Sequence, residues 1–361
     1  MIVPGPEPVP RRAAFWHVEG EGILCDLCPH RCRMPTGSTG LCRTRRNVSG
    51  ELVALNHSKT SLSLVRPIEM APLFHFLPGA KTLFLGSFGC NLDCDDCEDG
   101  NKARRGEDAP YRVTIPEQTA EMVGIEGAEG VVYFNGEPSL WIEHIMDAAP
   151  ELRKRGRFSA IATNGFIEPW AAEDLYDLVD AVSIHMRGFD RRSFQSHCHG
   201  RLDEILEACT IASDADCHLE LCYHLMPGRN DSTKEVKAFC AWVVDELGED
   251  TPVHFLDSLL GRPFPDATMS ERTRIVELAA MAKGEGLRYV YTTGAKDGRN
   301  QDTHCPACGE RVIKRVAVNE ASPSLEGGPL GKFTGSPRVE MAFDGKRCPK
   351  CKEPIPIVLS S

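Results

Sequence analysis

Cysteine carries most of the chemical information in this chain. The 361-residue sequence has 16 cysteines, most of them in three close groups. In a long chain whose Pro-rich start does not resemble an export signal, clustered cysteines indicate metal ligands before they indicate disulfides. The scattered ones, Cys198, Cys209, Cys217, Cys222 and Cys240, are expected to be small buried side chains. The composition therefore predicts a metalloprotein.

The middle group has the spacing C-x3-C-x2-C and consists of Cys90, Cys94 and Cys97. Three thiolates suit a 4Fe–4S cluster, and because a complete cluster takes four ligands, one iron is left open for another molecule. Catalytic zinc keeps a comparable open position. A zinc site would need a fourth ligand from elsewhere, and a structural metal site or three unrelated loop cysteines are the remaining alternatives.

The two outer groups each contain four cysteines. The C-terminal group has two C-x2-C pairs, which predict a tetrahedral zinc ribbon, with rubredoxin-type iron as the alternative; its members are Cys305, Cys308, Cys348 and Cys351. The N-terminal group has the spacing C-x2-C-x3-C-x9-C, which fits either a second zinc or an auxiliary iron–sulfur cluster; its members are Cys25, Cys28, Cys32 and Cys42. His30 is an optional further ligand.

Strand and helix patterns alternate through the middle of the chain. Short apolar runs such as "KTLFLGS", "GVVYF", "FSAIAT" and "DAVSIH" predict strands, and Ser232 with Glu235 forms a capping box that predicts a helix start. This order predicts parallel strands with right-handed helical connections. The segments "GCNLDC", "NGEP", "TNG" and "HMRG" each follow a predicted strand, so we expect all four at one edge of the sheet.

The cysteine groups divide the chain into four predicted regions. They are a flexible tail over 1–20, a Cys-rich metal-binding module over 21–78, a strand–helix region over 79–300 and a zinc-ribbon module over 301–361. The net charge of −11 makes general binding to nucleic acid or to an anionic membrane unexpected. The sequence has no run of eighteen apolar residues, so a transmembrane helix is not expected. A cytoplasmic location is expected.

Taken together, these motifs resemble the radical S-adenosylmethionine (radical SAM) superfamily. The order of "CDLCPHRC", "PLFHFLPG", "GCNLDC", "NGEPSL", "PGRND", "CPACG" and "CPKC" is similar to that of AmmeMemoRadiSam-type enzymes, which are related to pyruvate formate-lyase activating enzymes. The resemblance implies an α/β fold with a partial (β/α)6 radical SAM barrel between the N-terminal Cys-rich module and the C-terminal zinc ribbon.

The resemblance also implies roles for single residues. Cys90, Cys94 and Cys97 would hold a 4Fe–4S cluster whose fourth iron binds S-adenosylmethionine (SAM). The turn of Asn135, Gly136 and Glu137 would hold the SAM amino group, and Thr163 with Asn164 would lie near its ribose. His185 and Arg187 take the place of an Asp and a Lys that relatives place near the SAM carboxylate. Relatives usually have an aromatic residue where this chain has Asp96.

The function implied is reductive cleavage of SAM to a 5′-deoxyadenosyl radical, which abstracts hydrogen from a substrate. A protein substrate is expected, with an electron from a donor of flavodoxin or ferredoxin type. A small-molecule substrate and a non-catalytic iron–sulfur or zinc scaffold are the alternatives. Several arginines near the N-terminal cysteines suggest a basic dock for an acidic partner protein; they are Arg31, Arg33, Arg43, Arg45 and Arg46.

Overall fold

The computed structural model describes residues 11–95, 97, 106–257, 269–293, 300–316 and 338–359. Within it the chain forms two compact units. The first consists of residues 1–64 and 83–219, and the second of residues 65–82 and 220–361. No helix in the described ranges is both long and apolar enough to cross a membrane. Asp96, where relatives have an aromatic, lies outside the described residues.

The predicted alternation of strands and helices is confirmed. The main strands are β1 (Lys81–Gly86), β2 (Gly130–Tyr133), β3 (Phe158–Thr163), β4 (Ala181–Met186), β5 (His218–Leu225), β6 (Val253–Asp257) and β7 (Val290–Thr293). The helices are α1 (Pro116–Ile125), α2 (Ile142–Lys154), α3 (Pro169–Tyr176), α4 (Arg191–Cys198), α5 (Leu202–Asp214), α6 (Thr233–Glu246) and α7 (Met269–Gly284). At least one helix separates each strand from the next, as an α/β fold requires.

In the first unit the strands lie side by side in the order β4-β3-β2-β1. The register of β2, β3 and β4 is parallel, pairing Tyr133 with Ile161 and Thr163 with Ile184. These strands are almost continuously buried, as is usual for the strands of a parallel sheet. The carboxyl ends of the strands therefore reach one edge together, and the loops that leave them start as neighbours.

Short strands and 3-10 turns complete the first unit. The strands are Arg11–Arg12, Trp16–Glu19, Gly22–Cys25, Arg33–Met34, Arg45–Val48, Glu51–Ala54, Lys59–Thr60 and Arg112–Val113, and the 3-10 turns are Gly106–Asp108 and Pro138–Trp141. Most of them form antiparallel pairs between residues 11 and 54, which build the N-terminal Cys-rich module. Strand Leu62–Pro67 and 3-10 turn Ile68–Met70 lead toward β1.

In the second unit β5, β6 and β7 are parallel, and the predicted start of helix α6 after Ser232 is confirmed. The Ser232 hydroxyl accepts a hydrogen bond from the Glu235 backbone N–H at 3.2 Å. The C-terminal strands are Thr303–His304, Arg311–Val316 and Arg338–Met341 and form an antiparallel sheet. Its cysteines Cys305 and Cys348 are buried in one apolar cluster with Tyr289, Tyr291 and Val312. This small module therefore shares a core with the last strand.

Candidate functional site

The loop after β1 carries Cys90, Cys94 and Cys97 and is held at both ends. At its start, Gly89 has φ of +96°, and a Cβ there would lie 2.1 Å from Thr44 Cγ2, so only glycine fits. Further along, the Asp93 and Asp95 backbone N–H groups donate to the carbonyls of Cys198 and His197, both at 3.1 Å. His197 and Cys198, at the end of α4, thus anchor the cysteine loop.

The turn after β2 packs directly on this loop. Gly136 has φ of +64°, and a Cβ there would lie 2.7 Å from the Ser87 carbonyl and 3.0 Å from the Gly89 carbonyl. The Glu137 N–H donates to the Gly89 carbonyl at 2.9 Å. Asn135 also has a left-handed backbone, at φ of +73°. Close backbone approach is thus the physical reason for glycine in "NGEP".

Glu137 is buried, with 4% of the residue exposed, and its carboxylate accepts three hydrogen bonds. Oε1 accepts from Ser139 N at 2.9 Å and from Thr163 Oγ1, and Oε2 accepts from Asn164 N at 2.9 Å. Burial raises the pKa of Glu137, and the hydrogen bonds from Thr163, Asn164 and Ser139 act in the opposite direction. The carboxylate thus ties the turn after β2 to the turn after β3.

Asn164 continues this network to the cysteine loop. Its Nδ2 lies 3.7 Å from Cys90 Sγ and 3.0 Å from Asn91 Oδ1. The Asn91 Nδ2 in turn donates to the Phe166 carbonyl at 2.6 Å, and the Leu92 N–H points at Cys90 Sγ from 3.5 Å. Hydrogen bonds to a ligand sulfur are one of the ways by which a protein sets a cluster potential. Asn91 was missed at the sequence level, because an Asn inside a loop gives no periodic signal.

His185 and Arg187 lie at the carboxyl end of β4. Ile184 of β4 pairs with Thr163 of β3. His185 is the next residue along β4, so it lies level with the "TNG" turn that begins at Thr163. The His185 Nε2 lies 3.3 Å from Ser183 Oγ, and both His185 and Arg187 are half-buried. The structure thus brings the four strand-end segments to one edge of the first unit.

The three loop cysteines differ from a single-ion site in spacing. A metal ion needs at least three ligand atoms from Cys, His, Asp or Glu close together. Among the residues that the structure describes, the C-terminal quartet is the one such set, with its ligand atoms within 4.8 Å of one another. Within the described residues, the sulfurs of Cys90, Cys94 and Cys97 do not form such a set. Ligands to different irons of one cluster lie farther apart than ligands to one ion. Burial, followed by the charge of Glu137, raises the pKa of Cys90. A bound cation must offset that cost for Cys90 to serve as a thiolate.

The C-terminal quartet has the geometry of a mononuclear site. Cys305 Sγ lies 3.5 Å from Cys351 Sγ, and Cys308 Sγ lies 3.6 Å from Cys348 Sγ. The two knuckles repeat the same turn: Cys305 N donates to the Glu310 carbonyl at 2.8 Å, and Cys348 N donates to the Glu353 carbonyl at 2.9 Å. Four sulfurs about 3.8 Å apart are what a tetrahedral ion with 2.3 Å bonds requires. The predicted convergence of these four cysteines is thus found.

The N-terminal quartet surrounds a small cavity whose lining also includes His30 and Arg45. The His30 Nε2 lies 2.6 Å from the Asn91 carbonyl oxygen, beside the cysteine loop. The expectation of a basic dock in this module is wrong for Arg45, which is 1% exposed and paired with Glu143 at 2.8 Å. Three more of the arginines have acidic partners: Arg31 with Asp26, Arg33 with Glu19, and Arg46 with Glu107. The fold thus pairs four of the five arginines with acidic side chains, which offset their charge.

Comparison with known proteins points to one family. Residues 85–240, from β1 into α6, match the model described as the Radical SAM superfamily. An uncharacterized protein of Methanocaldococcus jannaschii is 30% identical over 356 residues, covering 97% of this chain and 100% of that protein. A biotin synthase of Syntrophotalea carbinolica is 26% identical over 238 residues, covering 62% of this chain and 66% of that enzyme. Among solved structures, a domain of a pyruvate-formate lyase-activating enzyme from Bacteroides vulgatus covers 46% of this chain and 100% of its own, with 17% identity and a TM-score of 0.37.

Proposed function

The chain belongs to the radical SAM superfamily, and from that premise we propose that it reductively cleaves SAM and abstracts hydrogen from a protein substrate. One observation carries the proposal. Cys90, Glu137 and Asn164, which come from three different strand ends, form one connected set of hydrogen bonds around the cysteine loop. Members of this superfamily use a 4Fe–4S cluster and SAM, and they catalyse radical reactions.

The residues fit these cofactors. Cys90, Cys94 and Cys97 would hold the cluster, because the three cysteines share the loop that follows β1 and have the spacing C-x3-C-x2-C. When bound, the cluster and SAM supply the electron and the adenosyl radical. The Leu92 N–H and the Asn164 amide lie at hydrogen-bonding range of Cys90 Sγ, where they stabilise negative charge on the sulfur.

Glu137 and Asn164 would position SAM beside the cysteines. Glu137 Oε2 accepts one hydrogen bond, from Asn164 N, and a carboxylate oxygen has room for a second donor such as an ammonium group. Thr163 and Asn164 fix the orientation of this carboxylate. His185 and Arg187, at the end of the neighbouring strand, are proposed to face the SAM carboxylate, where a guanidinium can make a two-point contact.

Radical SAM chemistry requires a one-electron reductant, and we propose a donor of flavodoxin or ferredoxin type. The proposed substrate is a protein, in keeping with the resemblance to AmmeMemoRadiSam-type and activating enzymes. A zinc ion is proposed for Cys305, Cys308, Cys348 and Cys351, whose sulfurs lie at tetrahedral spacing. A cytoplasmic location is proposed, and the acidic net charge argues against nucleic acid and membrane surfaces as partners.

A small-molecule substrate is the second candidate. It is favoured by the similarity to biotin synthase, whose name states a small-molecule product. The compensated arginines of the N-terminal module also remove one argument for an acidic protein partner. The choice between the two substrates depends on the source of the abstracted hydrogen.

The first experiment tests SAM cleavage. The protein is reconstituted anaerobically with iron and sulfide, and 5′-deoxyadenosine is measured after addition of SAM and dithionite. Wild type and Cys209→Ala should form it and Cys94→Ala should not, because Cys209 is a buried cysteine in α5 outside all three groups. Absence of product in a wild-type sample that holds its cluster would favour the non-catalytic scaffold.

The second experiment tests the substrate class. Cells of the source organism are grown in deuterated medium, and their extract is separated into a macromolecular and a low-molecular-weight fraction. Each fraction is incubated with the enzyme, SAM and reductant, and deuterium in 5′-deoxyadenosine is measured by mass spectrometry. Transfer from the protease-sensitive macromolecular fraction is expected, whereas transfer from the small-molecule fraction alone would replace the protein substrate with the second candidate.

A further inference from the structure

The four N-terminal cysteines enclose a cavity of their own. The strand Gly22–Cys25 and the turn after it contribute Cys25, Cys28 and Cys32, and Cys42 closes the cavity from the loop before Arg45–Val48. Its lining is otherwise mostly apolar, with Leu27, Met34 and Leu140 among the wall residues. Cys25, Cys28 and Cys42 are buried and Cys32 is half-buried. Four thiols at one closed point are a metal-binding set that a fold would not assemble for packing alone.

Their spacing distinguishes between the two metal centres that this ligand set allows. In the C-terminal quartet, opposite sulfurs lie 3.5 and 3.6 Å apart, and all four fall within 4.8 Å of one another. Within the described part of the chain the N-terminal sulfurs do not form such a set. The cavity that all four cysteines line also has room for a sphere the size of a water molecule. Sulfurs held about 2.3 Å from one ion would leave no such space, since their own radii nearly reach the centre.

The charges around the cavity support a thiolate-bound centre. Arg45 lines the cavity, is 1% exposed, and has a buried Nε without a hydrogen-bond partner among the described residues. Its terminal nitrogens are already engaged by Glu143 at 2.8 Å and by the Ala14 carbonyl at 3.1 Å. A buried N–H with no partner is costly, and a sulfur-rich centre would give it one.

We infer that Cys25, Cys28, Cys32 and Cys42 bind a second iron–sulfur cluster of cubane size, and that they do not form a zinc site. The centre lies next to the loop of the first cluster: a Cβ on Gly89 would lie 2.9 Å from the Cys42 carbonyl oxygen, and Gly89 adjoins Cys90. A complete set of four cysteines saturates the irons, so this centre can exchange electrons without an open coordination position. The inference does not depend on SAM chemistry.

The test removes the first cluster and keeps the second. The full chain with Cys90→Ala, Cys94→Ala and Cys97→Ala is reconstituted anaerobically, and iron, acid-labile sulfide and zinc are counted. About four iron and four sulfide per chain are expected in this variant, against about eight of each in the wild type. The reconstituted variant should also show visible absorption that dithionite bleaches.

Two further variants identify the ligands. Adding Cys28→Ser and Cys32→Ser to the triple variant should remove its iron and sulfide, whereas adding Cys209→Ala should not. Iron and sulfide near zero with a second zinc in the triple variant would overturn the inference in favour of zinc, and a chain without metal beyond the C-terminal ion would overturn it outright. Because the triple variant cannot cleave SAM, these outcomes are separate from the failure of the proposed function.

Discussion

Replacing Glu137 by Gln tests whether this carboxylate joins two turns of the site. Glu137 accepts from Ser139 N and Thr163 Oγ1 on one oxygen and from Asn164 N on the other. Gln preserves the shape and the first oxygen. It places an NH2 group opposite the Asn164 N–H, so two donors face each other in a buried position. Thr163→Val is the matched partner, since it leaves the carboxylate in place and removes one of its donors, together with the acceptor of the Gly165 N–H at 3.2 Å.

The expected cost follows from these contacts. A hydrogen bond to a charged group contributes about 1.5–3 kcal/mol, and leaving a buried donor unpaired costs a similar amount. Relief of the buried charge offsets part of this loss, so Glu137→Gln should lower the free energy of unfolding by about 2–3 kcal/mol. Thr163→Val should cost about 1–2 kcal/mol. The double variant should lose about 1 kcal/mol less unfolding free energy than the sum of the two single variants, because both substitutions affect the same Thr163–Glu137 hydrogen bond.

The assay is urea unfolding of the metal-free chain by circular dichroism, so that cofactor binding does not enter. Both variants should then raise the SAM concentration needed for 5′-deoxyadenosine formation by the reconstituted enzyme. A Glu137→Gln chain within 0.5 kcal/mol of wild type, or strictly additive costs, would refute the tie between the turns. If Glu137→Gln alone impairs SAM use and Thr163→Val does not, the carboxylate acts on SAM directly and not through Thr163.

Three further outcomes follow from the structure. Gly89→Ala should destabilise the chain by about 3 kcal/mol or more, because the new Cβ would lie 2.1 Å from Thr44 Cγ2 and the backbone φ is +96°. The control is Gly124→Ala in α1, whose new Cβ would meet no atom within 4 Å. In the same denaturation assay this control should be neutral or slightly stabilising. Cys348→Ser should lower the zinc content by one per chain and leave iron unchanged, with Cys240→Ala as the buried-cysteine control; equal zinc in both would contradict the ribbon. Burial raises the pKa of Asp147, but hydrogen bonds from Arg11 and His57 lower it further, so the net pKa lies below 3.8. The ionised Asp147 therefore stabilises the fold above pH 3.8, and this stabilisation is lost as the pH falls through the lowered pKa. Asp147→Asn should therefore be less stable than wild type at pH 7, and the difference should shrink as the pH falls below 3.8. A difference that persists in acid would contradict this linkage.

The strand–helix order was predictable because it depends on local patterns. The runs at "FSAIAT" and "DAVSIH" became β3 and β4 within one residue, since a buried parallel strand needs a continuous apolar stretch. The meeting of Cys90, Glu137 and Asn164 followed from the same pattern, because parallel strands end at one edge. The α/β class and the resemblance to the radical SAM superfamily are both confirmed. The proposed SAM contacts of His185 and Arg187 stay predictions.

The sequence could not provide the pairing of side chains that are far apart along the chain. Five arginines close in sequence suggested a basic surface, yet Arg45 turns inward to Glu143, which lies in α2 nearly a hundred positions away. Glu137 suggested an ammonium ligand, and in the fold it first satisfies backbone and side-chain donors from β3. Such contacts depend on register and helix orientation, which no local pattern specifies.

The three cysteine groups illustrate where spacing along the chain stops being informative. C-x2-C occurs in both the N-terminal and the C-terminal group, so the local motif is the same. The difference arises from the second half of each site. Two C-x2-C knuckles bring four sulfurs within 4.8 Å of one another at the C-terminus, whereas at the N-terminus a single loop cysteine, Cys42, completes the lining of a cavity that includes the buried Arg45. A cluster needs a larger separation of its ligands than a single ion does, and a cation to balance its thiolates. These two requirements are the reason why we propose a cluster for the N-terminal group, where the motif alone fits either metal.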